Sequence, residues 1–121
     1  MATAPRPRSV RKAVEADQVI KITVRGEEAV IRPGDWGPRD DALVRTHTRK
    51  ALGEARSLLG ALQELDEQTI GLDSICLLWW LGRYRAHLTR ESYGDALDKF
   101  PSYGETDAIV LDEVVGYGEE G

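Results

Sequence analysis

The chain has 121 residues and a formal net charge of −5, and 41% of its residues are hydrophobic and 31% are charged. These values predict one soluble globular domain with a modest core, and the negative charge does not favour nucleic acid as a partner of the whole molecule. The single cysteine, Cys76, excludes an intrachain disulfide, and no apolar stretch approaches the ~20 residues that cross a bilayer. Because the start of the chain shows no hydrophobic signal core, we expect a cytoplasmic protein.

The two ends of the chain carry opposite charges. Residues 1–12 contain four bases and no acid, whereas residues 101–121 contain six acids and no base. Such ends are usually solvated. We therefore predict a flexible basic arm over residues 1–17, a single globular domain over residues 18–100, and an acidic tail over residues 101–121. The composition of this tail fits disorder as well as a short docked helix.

An alternating pattern near the start of the domain predicts a β-hairpin over residues 19–32. In residues 19–25 (VIKITVR), Ile20, Ile22 and Val24 share one face of a strand, and polar residues occupy the other. A turn at residues 26–28 and a shorter strand at residues 29–32 follow. Because an isolated hairpin is marginally stable in water, its apolar face must pack on the rest of the domain.

The remainder of the domain has the periodicity of helices. Residues 75–81 (ICLLWWL) form the longest apolar run of the chain and are apolar on two helical faces, which predicts a central helix. Thr89 is the expected N-cap of the last helix. The predicted helices cover residues 39–52, 54–65, 72–88 and 90–99. The predicted fold class is therefore α+β, mainly α: an N-terminal β-hairpin packed on a small bundle of about four helices, with flexible termini.

The tryptophan pair, Trp79 and Trp80, has two interpretations. The two residues are about 100° apart on a helix, so both cannot face one narrow seam. In the first interpretation both belong to the core, one under the hairpin and the other against neighbouring helices. In the second, one of them is partly exposed and anchors a protein partner, because tryptophan is enriched at binding hot spots.

The sequence lacks the patterns of a catalytic or cofactor site. His47 and His87 lie on different predicted helices, and neither has the neighbours that a metal site requires. No phosphate-binding loop or dinucleotide fingerprint occurs, so we expect a protein that is not an enzyme and uses no cofactor or metal. Arg45, Arg49 and Arg56 form a weak basic patch only if one helix continues through all three. A solvated outer face is the simpler interpretation, although the basic arm could contact phosphates or an acidic partner.

The order of these segments resembles the tail assembly chaperones of long-tailed bacteriophages, especially those of actinobacteria. The resemblance rests on four sequence features. They are a hairpin motif that begins with glycine and ends with proline (residues 26–33), an arginine-rich helix, the helix LLWWLGRYR (residues 77–85), and a short helix that begins with serine or threonine (residues 89–97). It covers residues 19–100.

The resemblance implies a small, mainly helical, non-enzymatic protein of the host cell cytoplasm. Such chaperones associate with the tape measure protein, keep its apolar helical segments soluble, help to bring tail tube subunits to it, and are not retained in the mature virion. Many also have a longer form made by a programmed ribosomal frameshift. A homo-oligomer is compatible with this function. We expect a partner-binding surface on the central helix, formed by Leu77, Trp80, Leu81 and Tyr84.

Other classes of protein share the same general features. One is a structural phage protein that stays in the particle, such as a head–tail connector or a minor tail protein. Another is a small helical DNA-binding regulator with a hairpin wing, although the net charge of −5 and the missing basic recognition helix disfavour it. A toxin–antitoxin protein or another host adaptor has no distinguishing feature in this sequence.

Overall fold

A three-stranded antiparallel sheet and four α-helices form most of residues 18–114, the part of the chain that the computed structural model describes. This architecture confirms the predicted α+β, mainly α class, with a hairpin packed on a helical bundle. The predicted basic arm lies outside the described residues. In chain order the elements are β1 (Val19–Val24), β2 (Glu27–Ile31), a 3₁₀ helix (Pro33–Asp35), α1 (Pro38–Leu52), α2 (Leu58–Asp66), α3 (Leu72–Arg85), α4 (Tyr93–Lys99), a second 3₁₀ helix (Tyr103–Ala108) and β3 (Ile109–Val114).

The hairpin has a tighter turn than the sequence predicts. Arg25 and Gly26 alone connect the strands, with φ values of 50° and 82°, as a two-residue primed turn requires. Glu27 and Glu28, expected in the turn, are the first residues of β2. In this register Ile22 lies opposite Ala29, and both are buried on the inner face of the sheet.

Strand β3 corrects the predicted domain boundary at residue 100. It was expected within an acidic tail, but it pairs with β1 in antiparallel register, which places β1 at the centre of the order β2-β1-β3. The physical reason is that the hairpin alone leaves one edge of β1 unpaired, and the apolar residues Ile109, Val110 and Leu111 supply a strand for it. Residues 115–121 of the predicted tail lie outside the described part of the chain.

Capping side chains explain where two helices begin later than predicted. Helix α2 begins at Leu58 because the hydroxyl of Ser57 accepts the Gly60 N–H at 3.0 Å. Helix α4 begins at Tyr93 because Ser92, and not Thr89, is its N-cap. The predicted starts at residues 54 and 90 are therefore too early.

Helix α3 ends at Arg85, three residues before the predicted end. His87 follows with a left-handed φ of 61°. The N–H of His87 donates to Tyr84 O at 3.1 Å, and the N–H of Leu88 donates to Arg83 O at 2.9 Å. This pair of bonds is a Schellman motif, which satisfies the last carbonyls of a helix and turns the chain away from its axis.

Helix α3 is the centre of the core, as its composition predicts. All residues from 74 to 82 are buried. Trp79 lies under the hairpin, where its Nε1–H donates to Glu27 O at 2.9 Å. Trp80 is fully buried on the helical side, and its Nε1–H donates to Glu91 O at 2.9 Å. These positions confirm the first interpretation of the tryptophan pair.

Candidate partner-binding cleft

The predicted partner-binding surface is not exposed in the structure. Leu77, Trp80 and Leu81 have exposed fractions of 2%, 0% and 0%, and Tyr84 is half-buried. The prediction of a surface at these positions is therefore wrong for the first three residues. The reason is that neighbouring helices cover this face of α3: the Trp80 ring lies 4.7 Å from His47 of α1 and 5.9 Å from Tyr93 of α4, measured between ring centroids.

A cleft of about 340 Å³ lies instead between the hairpin turn, the end of α3 and α4. Its apolar lining includes Trp79, Leu88, Ala96 and Phe100. Leu88 is 57% exposed, which is unusual for a large aliphatic side chain at the mouth of a cleft, whereas Trp79 is only 8% exposed. The rings of Trp79 and Phe100 lie 5.9 Å apart and form a continuous aromatic wall.

Ion pairs surround this apolar wall. Arg83 lies 3.9 Å from Glu27 and also stacks over the Trp79 ring at 5.3 Å from its centroid. Lys99 Nζ donates to the Glu91 carboxylate at 2.8 Å, and this hydrogen bond raises the pKa of Lys99. Arg25 donates to the backbone carbonyl of Lys99 at 2.6 Å. The cleft thus combines an apolar wall with charged groups of both signs, which suits a peptide or helix of mixed polarity.

The groups capable of covalent chemistry are not arranged as a reactive site. Cys76 is fully buried, and burial raises the pKa of its thiol well above the usual range. His47 lies between α1 and α3, whereas His87 follows the end of α3. Within residues 18–114, no group of three or more His, Cys, Asp or Glu side chains is placed to hold a metal ion. No helix in the same range has the length and apolarity to span a bilayer.

The predicted basic patch separates into two parts. Arg45 and Arg49 are exposed on α1, but this helix ends at Gly53, which has a left-handed φ of 85°. Arg56 therefore lies beyond the helix and pairs with Asp73 at 2.8 Å. The three arginines do not share one helical face, so the condition for the patch is not met.

Sequence reasoning missed the cleft because it extended the central helix to residue 88, whereas Leu88 lies past the end of that helix. A signal was available: Arg83, Arg85 and His87 gather basic residues at the place where a helix normally ends. A residue beyond the end of a helix no longer follows the helical periodicity, so its side chain does not have to lie on the buried face. Phe100, just past the end of α4, packs against Trp79 of α3 and lines the cleft together with Leu88, and this arrangement depends on the tertiary fold.

Comparison with known protein families, curated proteins and solved structures finds no match for the chain. The function therefore has to be inferred from the residues and the geometry of this molecule.

Proposed function

We propose that the chain is a tail assembly chaperone of a long-tailed bacteriophage, which binds the tape measure protein in the host cytoplasm and performs no catalysis. The proposal starts from the resemblance of residues 19–100 to that family. One observation carries the proposal: two of the sequence motifs on which the resemblance rests pack against each other in the structure. These motifs are residues 26–33 and residues 77–85.

Hydrogen bonds and side-chain packing connect these two motifs. Trp79 donates a hydrogen bond to Glu27 O at 2.9 Å, and Arg83 donates one to Glu28 O at 3.2 Å. Gly82 lies directly against the side chain of Ile31. Each motif covers apolar side chains of the other, which gives a physical reason for both motifs to occur in one chain. This supports the use of the two motifs together, and not each alone, as the basis of the resemblance.

The cleft provides a binding site for the client. An amphipathic helical segment of the tape measure protein buries its apolar side chains against Leu88 and Phe100, beside the largely buried ring of Trp79. Its polar flanks meet the ion pairs of Arg83 and Lys99. The net charge of −5 favours solubility of the chaperone and of its complex. The same complex receives the tail tube protein during assembly.

Co-expression with the tape measure protein of the same phage tests this function. We expect the wild-type chain to keep the tape measure protein soluble and to co-purify with it. Leu88→Asp should weaken the complex at least tenfold, because burial of a leucine contributes about 1.5–3 kcal/mol and ~1.4 kcal/mol corresponds to a factor of ten. A matched control is Tyr103→Asp, which changes a side chain that is 76% exposed and does not line the cleft.

Two results would contradict the proposal. One is a tape measure protein that is equally soluble without the chain and forms no complex with it. The other is a stoichiometric amount of the chain in purified virions by mass spectrometry, which would favour a head–tail connector or a minor tail protein. The gene supplies an independent test, because a slippery heptamer in the last codons that opens a long −1 frame favours the chaperone.

A further inference from the structure

Within residues 18–114, the outer edge of strand β3 pairs with no other strand. In the β1–β3 ladder Thr23 lies opposite Val110 and Lys21 lies opposite Asp112, and the N–H of Arg25 donates to Ala108 O at 2.9 Å. Backbone groups of an antiparallel strand alternate in direction, so those of Val110 and Asp112 point to β1. The backbone groups of residues 109, 111 and 113 point away from β1, and of these the N–H of Ile109 donates to Thr106 O at the end of the 3₁₀ helix. Within residues 18–114 no other strand pairs with them.

The opposite edge of the sheet contacts helix α3. Glu28 lies opposite Thr23, a position where the backbone of β2 points outward, and its carbonyl oxygen accepts a hydrogen bond from Arg83 at 3.2 Å. Helix α3 also packs closely on β2 through Gly82. The main neighbours of β3 are β1 and the 3₁₀ helix Tyr103–Ala108. The two edges therefore differ, and β3 is the edge that is open to another strand.

Both faces of β3 also present apolar side chains. Leu111 lies on the inner face, opposite the buried Ile22, and is 39% exposed. Val110 lies on the outer face and is 48% exposed. An added strand would extend the inner apolar face next to Leu111 and would cover part of Val110. The site thus offers apolar contacts in addition to backbone hydrogen bonds.

The charge of this region favours one class of partner. Residues 101–121 carry six acids and no base, and Asp112 is exposed on the outer face of β3. A second copy of β3 would bring the same acids to the same edge, which is unfavourable. A cationic strand is attracted instead. We infer that the outer edge of β3 is a strand-addition site for an extended segment of another protein in which apolar residues alternate with lysine or arginine. This inference does not depend on the proposed function.

Amide hydrogen exchange of the full chain, followed by NMR, tests the site. The probe is a synthetic peptide of alternating lysine and valine, and a peptide of alternating glutamate and valine is its control. We expect the outward amide of Leu111 to exchange quickly in the free chain and to slow at least tenfold with the lysine peptide. The glutamate peptide should leave it unchanged.

Two variants separate the edge from the rest of the sheet. Leu111→Pro removes an outward N–H that β1 does not use, so it should abolish peptide binding and leave the amides of β1 protected. Asp112→Lys should weaken the lysine peptide about tenfold or more while keeping the fold.

Three outcomes would overturn the inference. Slow exchange at Leu111 in the free chain would show that the edge is already covered, by the chain itself or, if the effect depends on concentration, by a second copy. Equal binding of the glutamate peptide would remove the charge argument. Protection by the peptide only at amides outside β3 would place its binding site elsewhere.

Discussion

Gly82 of α3 and Ile31 of β2 approach each other more closely than two residues with side chains could. A Cβ atom on Gly82 would lie 2.5 Å from Cγ2 of Ile31 and 3.2 Å from Cβ of Ala29. The missing side chain therefore sets the distance between the central helix and the hairpin. The same approach brings Trp79 and Arg83 within hydrogen-bond distance of the backbone of β2.

Gly82→Ala should destabilise the protein despite the better helix propensity of alanine. The added methyl group meets the stiff, buried side chain of Ile31, and overpacking of this kind typically costs about 1–3 kcal/mol. The gain in propensity offsets about 1 kcal/mol of that cost. Urea denaturation monitored by tryptophan fluorescence gives the free energy of unfolding.

Gly60→Ala is the matched control for this change. Gly60 also lies in a helix, but the atom nearest to its added Cβ would be 3.6 Å away, so we expect unchanged or slightly higher stability. In the background of Ile31→Ala, the penalty of Gly82→Ala should shrink, because the opposing methyl group is gone. If Gly82→Ala raised the stability as much as Gly60→Ala does, the helix and hairpin would not be packed this tightly.

Elements that depend on local periodicity could be predicted from the sequence. The alternation of Ile20, Ile22 and Val24 predicts β1, and the apolar faces of α3 predict a central helix, because both patterns depend on local periodicity. Strand β3 was missed because its apolar residues are followed by Asp112 and Glu113 in an acidic segment. Only pairing with β1, which is distant in sequence, makes them a strand.

The candidate site was harder to predict for a related reason. A helix that is apolar all round does not reveal which of its faces the neighbouring elements cover. Trp80 was expected at a partner-binding surface and is fully buried, whereas Leu88 was expected within the central helix but lies past its end and is 57% exposed. The difference depends on the Schellman motif at His87 and on the position of α4, and both belong to the tertiary structure.

Thr48 connects α1 to the loop that precedes α2. It is fully buried, its hydroxyl donates to Val44 O at 2.7 Å, and the same oxygen accepts the N–H of Arg56 at 2.8 Å. Thr48→Val keeps the shape but leaves this N–H without its acceptor, which should cost about 1–3 kcal/mol. Thr48→Ser keeps the hydroxyl and loses a methyl group, at about 1 kcal/mol. Exchange of the Arg56 amide should accelerate in the valine variant alone, and equal exchange in both variants would contradict this role.

Cys76 should be inert in the folded protein. It is fully buried in α3, and burial raises the pKa of its thiol, so little reactive thiolate exists at neutral pH. We expect a thiol-specific reagent to label the chain slowly in native buffer and rapidly in urea. In native buffer the labelling rate should be proportional to the fraction of unfolded chains. Fast, complete labelling without urea would show that α3 is accessible from solvent.

His47 should make stability depend on pH near neutrality. Its ring packs against Trp80 and Tyr84, and burial, followed by the charge of Lys50, lowers its pKa below the ordinary value of 6.5. As pH falls through 6.5, the unfolded chain therefore binds a proton before the folded chain does. The free energy of unfolding should be fully retained above pH 6.5 and should decrease from there down to the lowered pKa of the folded state.

Urea denaturation at several pH values between 7.5 and 5 measures this loss of stability. In His47→Gln the part of the slope due to this histidine should disappear, because glutamine has no titrating group. His87→Asn is the matched control for the loss of a histidine, because His87 is exposed and has a left-handed backbone, which asparagine also tolerates. If the wild type and His47→Gln lose stability equally over this range, the ring of His47 does not prefer its neutral form in the folded protein.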